Sequence, residues 1–318
     1  MIEEKYKKFN FIFETVAGSQ LYGTSTPESD IDIRGVFIPT REYLYSFLYK
    51  IEQIEYKSND ITYFDIRKFC HLASQCNPNI IELLFVPEKM ATKWTEDWRC
   101  LLNSREAFLS KKARYSFSGY AVSQLHRIKQ HRNWLLNPPR KQPERSDFGL
   151  PNERKLVTAE QFNALMELAE SFNMDVVSEF GLDTNTMEIL QREKAFQNAN
   201  KYWGQYMNWK NNRNPQRAVL EEKFGYDTKH AMHLYRLITE GEELLTQGAI
   251  TFPRPGARLL LDIRNGVYSY DELMNEIGDL DLKFGEFYDK SSLPYSPDIK
   301  RCDGVCQELV SNFVNERR

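Results

Sequence analysis

Hydrophobic positions in the first sixty-five residues form short β-prone runs separated by polar breaks. The segment 9–16 is apolar and aromatic, and Ala17-Gly18-Ser19 interrupts it. A second run covers 31–38. A third covers 51–64 and is interrupted by the polar residues Lys57-Ser58-Asn59. Because small and polar residues favour turns, this pattern predicts three strand regions, the last of them folded as a hairpin.

From Asp65 onwards the apolar residues recur at three- and four-residue steps, which indicates helices. Asp65 is placed to cap the first helix, and Asn77-Pro78 opens another that ends at Pro87. The later helical segments are 113–136, 163–172, 186–210 and 229–246. We therefore predict an α/β (α+β) fold, with a small mixed β-sheet domain over 1–105 and a mainly α-helical domain over 106–318. Prolines and charges near 137–155 predict a linker or loop.

Composition and charge exclude several classes of protein. Hydrophobic residues make up 41% of the chain and aromatic residues 13%, which excludes general disorder. With 42 Lys and Arg against 45 Asp and Glu, the net charge of -3 argues against a broad polyanion binder, although a local basic groove stays compatible with it. No apolar run approaches the roughly 20 residues that span a bilayer, so no membrane association is expected. Five cysteines without CxxC spacing indicate reduced thiols in the cytoplasm.

The pair Asp30 and Asp32 is the first candidate for chemistry. Residues i and i+2 of an extended chain point to the same face, so both carboxylates are expected to project into one site. At about 4 Å and an effective dielectric constant of 20, their repulsion is on the order of 4 kcal/mol. A cation between them would relieve it, and hard carboxylate oxygens suit Mg²⁺. Asp pairs at turns are common, however, so this motif alone is weak.

The turn Gly18-Ser19 supplies a second half of the pattern. Gly18 allows the backbone to approach a phosphate closely, and Ser19 adds a hydroxyl that can bond a β- or γ-phosphate oxygen. Gly-Ser by itself is even less specific than Asp-x-Asp. Both motifs together, about ten residues apart and each next to a predicted strand, indicate a site for a metal-bound phosphate.

These residues resemble the signature of the DNA polymerase β-like nucleotidyltransferase superfamily. The extended motif resembles the predicted nucleotidyltransferases of bacteria and tailed phages, with Gly18-Ser19, Tyr22-Gly23-Thr24, Pro27, Ser29-Asp30, Asp32 and Arg34-Gly35 in order. Further similar stretches are 60–62, 67–69, 77–84, 229–237 and Leu293-Pro294. Residues 137–200 carry none of the resemblance.

The resemblance implies a short mixed sheet flanked by helices and a reaction that transfers a nucleoside monophosphate from an NTP to an acceptor hydroxyl, releasing pyrophosphate. It implies two Mg²⁺ (or Mn²⁺) ions about 3.5–4 Å apart, bridged by Asp30 and Asp32. It also implies a third carboxylate that binds the metal on the nucleophile side and helps deprotonate the acceptor. Asp60 is our choice for this carboxylate and Glu55 is the competitor, whereas Asp65 is expected to cap a helix.

Several cations are candidates for binding the nucleotide. Arg34 shares the face of Asp32 by strand parity, where it either neutralises phosphate or forms a structural salt bridge. Lys68, next to Arg67, is expected either to reach the triphosphate or to lie on a solvated helix face. Lys229, His233 and Arg236 are spaced i, i+4, i+7 and share one helix face, which either binds a triphosphate or RNA or is a partly exposed polar face.

Two functional alternatives remain at this point. One is a catalytically inactive nucleotide-binding protein, and the other is an RNA-associated regulatory protein that binds through its helical half. The sequence leaves open which NTP is used. It also leaves open the acceptor, for which RNA or tRNA, a protein and a small molecule all remain candidates. A phage-encoded chain would act in the cytoplasm of its host.

Overall fold

The computed structural model describes residues 3–27, 29–151, 164, 167 and 184–316. Five strands form one mixed sheet: β1 (Asn10–Val16), β2 (Ile33–Ile38), β3 (Gln53–Tyr56), β4 (Ile61–Asp65) and β5 (Ala91–Trp94). Their order across the sheet is β3-β4-β2-β1-β5. All neighbours are antiparallel except β2 and β4, which are parallel. This single parallel pair brings the N-terminal ends of two strands to the same edge of the sheet.

The predicted hairpin over 51–64 is confirmed, with β3 and β4 joined through a short 3-10 turn at Lys57–Asn59. The sequence pattern did not predict β5. Its four residues are exposed or half-buried, so the strand has no apolar face to read, and it exists because it pairs with β1.

Aromatic side chains pack on both faces of the sheet. On one face Phe9 and Phe37 stack with ring centroids 5.2 Å apart. On the other, Phe13 and Trp98 stack at 4.1 Å and Phe69 meets Trp98 at 5.5 Å. Phe13, Phe37, Phe69 and Trp98 are all fully buried. Burial on this scale fixes the strand register, because a one-residue slip would turn the apolar side chains to solvent.

Helices make up most of the described remainder. In chain order they are α1 (Gly18–Tyr22), α2 (Arg41–Tyr45), α3 (Ile66–Ser74), α4 (Pro78–Ile81), α5 (Glu96–Asn103), α6 (Lys112–Leu136), α7 (Thr184–Asn212), α8 (Pro215–Phe224), α9 (Thr228–Gln247), α10 (Ala257–Arg264), α11 (Tyr270–Lys290) and α12 (Ile299–Glu316). The predicted α/β class, a mixed sheet followed by a mostly helical region, is confirmed. No helix among the described residues is long and apolar enough to cross a membrane.

Local capping signals account for several helix boundaries. The Asp65 carboxylate accepts a hydrogen bond from the backbone amide of Arg67 at the start of α3, as predicted. Asn77 caps α4 in the same way. The predicted helix 163–172 lies outside the described residues.

The chain divides into two compact units. One combines residues 1–129 with 226–318, and the other is 130–225. In the first unit, α9 and the sheet therefore belong to one body, although about 130 residues separate the end of β5 from the start of α9 in sequence. In the second unit, the buried Trp134 ring contacts Tyr202, Tyr206 and Trp209, which is core packing. The domain boundary near residue 105 stays a prediction.

Candidate active site

Asp32 and Asp60 meet at the edge of the sheet where the parallel strands β2 and β4 begin. Ile33 pairs with Ile61 in the parallel register, so the residue before each strand occupies an equivalent position. The backbone amide of Ile33 donates to the carbonyl oxygen of Asp60 over 3.1 Å. Asp32 lies in the loop directly before β2, and Asp60 lies one residue before β4. The sequence pattern predicted that both residues lie on strands, and this was wrong, since each directly precedes its strand.

The two carboxyl groups perturb each other. Burial, together with a hydrogen bond to the Asp60 carboxyl, raises the pKa of Asp32 to about 6. The same hydrogen bond lowers the pKa of Asp60, and the Arg34 guanidinium contributes in the same direction. Below about pH 6 the two carboxyl groups therefore hold one proton between them, because ionising both places two like charges in contact. Asp30 is exposed two residues before Asp32.

Arg34 is the cation bound most closely to this pair. Its guanidinium donates from Nη1 to the backbone oxygen of Asp60 over 2.7 Å and from Nη2 to the Asp60 carboxylate over 3.2 Å. Of the two roles expected for Arg34, the structure shows an ion pair with a site carboxylate. The Arg34 guanidinium thus partly neutralises the negative charge of Asp60.

The Gly18-Ser19 turn lies against the Asp32 carboxylate. Gly18 has a φ of +62°, and a Cβ atom added there would overlap the Asp32 carboxylate oxygen. Only glycine satisfies both requirements, since other residues rarely adopt this φ and all carry a Cβ. Ser19 follows in the first turn of α1 and is half-buried. The two halves of the sequence motif are therefore adjacent in space.

Lys229 brings a second positive charge to the acidic pair. It lies in the first turn of α9, after the helix cap Asp227. Its ammonium group favours the ionised form of both carboxyl groups and so lowers the pKa of Asp32 and of Asp60. The charges of Arg34 and Lys229 therefore act on the acidic pair, and Gly18 lies against one of its members, Asp32.

Among the remaining candidate residues, Lys68 and Arg236 pair with carboxylates other than those of Asp32 and Asp60. Lys68 donates to Glu52 over 3.1 Å and to Gln53 over 2.8 Å, next to β3. Arg236 is buried and forms ion pairs with Glu82 and Glu240. His233 is half-buried on α9, one turn after Lys229. Nucleotide binding by these three residues stays a prediction. Glu55, the competing third carboxylate, is exposed on β3 and pairs with Gln53.

The N-terminal part of the chain is similar to a described protein family. Residues 1–139 match the family described as RlaP, the RNA repair pathway DNA polymerase beta family. This region is therefore similar to a polymerase beta-like nucleotidyltransferase family. The match covers the sheet, Gly18, Asp32 and Asp60, and it supports a nucleotidyltransferase-type function in general terms.

A phage protein shows a partial likeness. The "Uncharacterized 38.9 kDa protein in nrdC-mobD intergenic region" of Enterobacteria phage T4 is 26% identical over 125 residues. The aligned stretch covers 36% of this chain and 37% of the phage protein, so the likeness covers little more than a third of either. No solved structure matches the chain.

Proposed function

We propose that this chain transfers a nucleoside monophosphate from an NTP to an acceptor hydroxyl and releases pyrophosphate. One observation carries the proposal: Asp32 and Asp60 meet at one edge of the sheet, against the glycine of the Gly-Ser motif. In the overall reaction, the acceptor oxygen bonds to the α-phosphorus. The bond from that phosphorus to the bridging oxygen of the β-phosphate breaks, and the hydroxyl proton leaves to a base.

The donor set fits divalent metal ions. Carboxylate oxygens are the ligands that Mg²⁺ and Mn²⁺ prefer, and the contact between Asp32 and Asp60 is unfavourable when both are ionised without a cation. We propose that Asp30, Asp32 and Asp60 hold two such ions. When bound, the ions would neutralise charge on the triphosphate and on the attacking oxygen.

Asp60 is the proposed third carboxylate, on the acceptor side. Its lowered pKa keeps it ionised at neutral pH, which suits a group that would hold a metal ion and orient the acceptor hydroxyl for deprotonation. Arg34 holds its backbone and its side chain at once, so Asp60 is oriented before any ligand binds.

Triphosphate binding is assigned to the groups beside the acidic pair. Gly18 and Ser19 offer a close backbone approach and a hydroxyl, and Lys229 offers a positive charge from α9. Arg34 would add a second positive charge if its guanidinium bound a phosphate oxygen in place of the Asp60 carboxylate. Lys68 and His233 remain secondary candidates for contacts to the nucleotide.

The acceptor we favour is RNA, because the matching family is described as part of an RNA repair pathway. A protein or small-molecule hydroxyl would be the alternative outcome of the assay. A cytoplasmic location is consistent with the five free cysteines, which suit a reducing compartment.

The test is transfer of radiolabel from each of the four NTPs, supplied with label at either the α- or the γ-phosphate, with Mn²⁺ and total RNA. We expect label to enter RNA from the α-position of at least one NTP and never from the γ-position. Ribonuclease or protease treatment of the product identifies the acceptor class. Label transferred from the γ-position would indicate a kinase, and no transfer to any acceptor would remove the proposed activity.

A further inference from the structure

A buried cluster of charged side chains joins α9 to the helix that carries the Gly-Ser motif. Arg236, on α9, donates to Glu82 over 3.2 Å and to Glu240 over 2.7 Å. Tyr22, the last residue of α1, donates its hydroxyl to the same Glu82 carboxylate at 3.1 Å. The Arg236 guanidinium also lies 4.2 Å from the centroid of the Tyr22 ring. The side chains of Glu82, Arg236 and Glu240 are at most 5% exposed.

A second arginine ties the cluster back to α1. The Arg254 side chain contacts Glu240, with Nε 3.8 Å from Oε1, and forms an ion pair with Glu243. The Arg254 backbone amide donates to the carbonyl oxygen of Tyr22 over 3.1 Å. The Tyr22 hydroxyl and the Tyr22 backbone are therefore bound by Glu82 and Arg254, and each of these residues also contacts a side chain of α9.

The two helices are in contact through Tyr22 and Arg236, and each also carries a residue of the candidate site. Lys229 and Arg236 are seven residues apart on α9, so they lie on one face about 10.5 Å apart along the axis. Toward one end, Gly18 begins α1 and lies against Asp32, and Lys229 lies in the first turn of α9. At the other end, Tyr22 and Arg236 are in contact.

We infer that Tyr22, Glu82 and Arg236 are positioning residues, which set the distance between Gly18-Ser19 and Lys229 by fixing α1 to α9. Directional hydrogen bonds between buried groups specify one register of the two helices, which apolar packing alone enforces less strictly. Arg236 then acts through Lys229 instead of contacting phosphate itself. The inference rests on the proposed function only in naming the triphosphate as the ligand of the positioned groups.

The first test is a double-mutant cycle on ATP affinity, measured with Mn²⁺ by calorimetry. Tyr22→Phe removes one hydroxyl and leaves no buried charge unpaired. We expect it to weaken ATP binding about 5-fold, since small misplacements of binding groups are costly. In a protein that already carries Lys229→Met, Tyr22→Phe should not weaken ATP binding any further. Tyr235→Phe is the matched control, because that hydroxyl donates to Glu276 at the same 3.1 Å on another face of α9.

The second test needs no nucleotide. The protein is treated with a limiting amount of an amine-reactive acetylating reagent, and the rate at which Lys229 is modified is followed by mass spectrometry. We expect faster modification of Lys229 in Tyr22→Phe and Arg236→Lys than in the wild type, and no change in Tyr235→Phe. Equal Lys229 rates in all four proteins, or additive effects in the ATP cycle, would overturn the positioning role. Altered Lys229 rates in a protein that binds no ATP would support positioning and refute the proposed function.

Discussion

Replacing Asp32 with asparagine should stabilise the metal-free protein at alkaline pH. The Asp32 carboxyl, in contact with Asp60, has its pKa raised from an ordinary 3.8 to about 6. A carboxyl whose pKa is raised by folding contributes stability that is fully present below about pH 4 and is lost as the pH rises past 6. At pH 8 wild-type Asp32 is therefore ionised at a cost that an amide does not incur.

The size of this effect follows from the difference between the two pKa values. A difference of about two pKa units corresponds to about 3 kcal/mol in the free energy of unfolding when no screening is considered. Asp32 is partly exposed, and the lowered pKa of Asp60 acts in the opposite direction, so solvent screening and the shared proton reduce the expected gain to about 1 kcal/mol. In a chain of this length that is an increase in Tm of about 2 °C.

The assay is thermal unfolding in EDTA at pH 5 and pH 8, followed by circular dichroism. Asp32→Asn should unfold at a higher temperature than the wild type at pH 8, and its advantage should shrink or vanish at pH 5. Mn²⁺ should raise the Tm of the wild type at pH 8 but not that of Asp32→Asn. In EDTA, Asp30→Asn is the control for removal of an exposed charge nearby. Equal Tm differences at both pH values would refute the assignment of a shared proton to Asp32 and Asp60.

Three further changes probe the same edge of the sheet. Arg34→Met removes the cation paired with Asp60, so Mn²⁺ alone should bind about two- to five-fold more tightly, the scale of a partly exposed ion pair, and unchanged affinity in an EPR titration would contradict this. Asp60→Asn should abolish NMP transfer while Glu55→Gln preserves it, and the reverse result in the radiolabel assay would make Glu55 the third carboxylate. Gly18→Ala should destabilise the protein by about 1–3 kcal/mol and weaken Mn²⁺ binding, because its Cβ overlaps Asp32. Gly248→Ala is the control, because Gly248 has a similar φ of +65° but a Cβ added there would meet its nearest atom only at 3.9 Å. This variant should lose stability without losing Mn²⁺ affinity. Equal Mn²⁺ affinities of Gly18→Ala and Gly248→Ala would contradict a role for the overlap with Asp32.

The sequence predicts those parts of the structure that depend on neighbouring residues. The strand 9–16, the hairpin 51–64 and the Asp65 cap are confirmed, because apolar runs, turn residues and capping side chains act over a few positions. The Gly-Ser and Asp-x-Asp motifs identify the site region for the same reason. Strand β5 was not predicted because it is stabilised by pairing with β1 and by packing of Trp94 against Phe13, which lies far away in sequence.

The arrangement of the candidate site and of the buried charged cluster depends on contacts between residues far apart in sequence. The parallel register of β2 and β4 brings Asp60 to Asp32, and a one-residue shift in that pairing would separate them. Helical spacing places Lys229 and Arg236 on one face but cannot tell that one lies by the acidic pair and the other in a buried cluster. The partner of Arg236, Glu82, is 154 residues away in sequence, so its role appears only in the folded chain.

The edge of the sheet where Asp32 and Asp60 meet is the proposed reaction centre, and metal stoichiometry tests that claim most directly. Mn²⁺ is titrated into the protein with an ATP analogue that cannot be cleaved between the α- and β-phosphates, and free Mn²⁺ is read by EPR. We predict two ions per wild-type chain and none bound with comparable affinity in Asp30→Asn/Asp32→Asn. Equal stoichiometry and affinity in the two proteins would contradict the assignment of this edge as the metal-dependent active site.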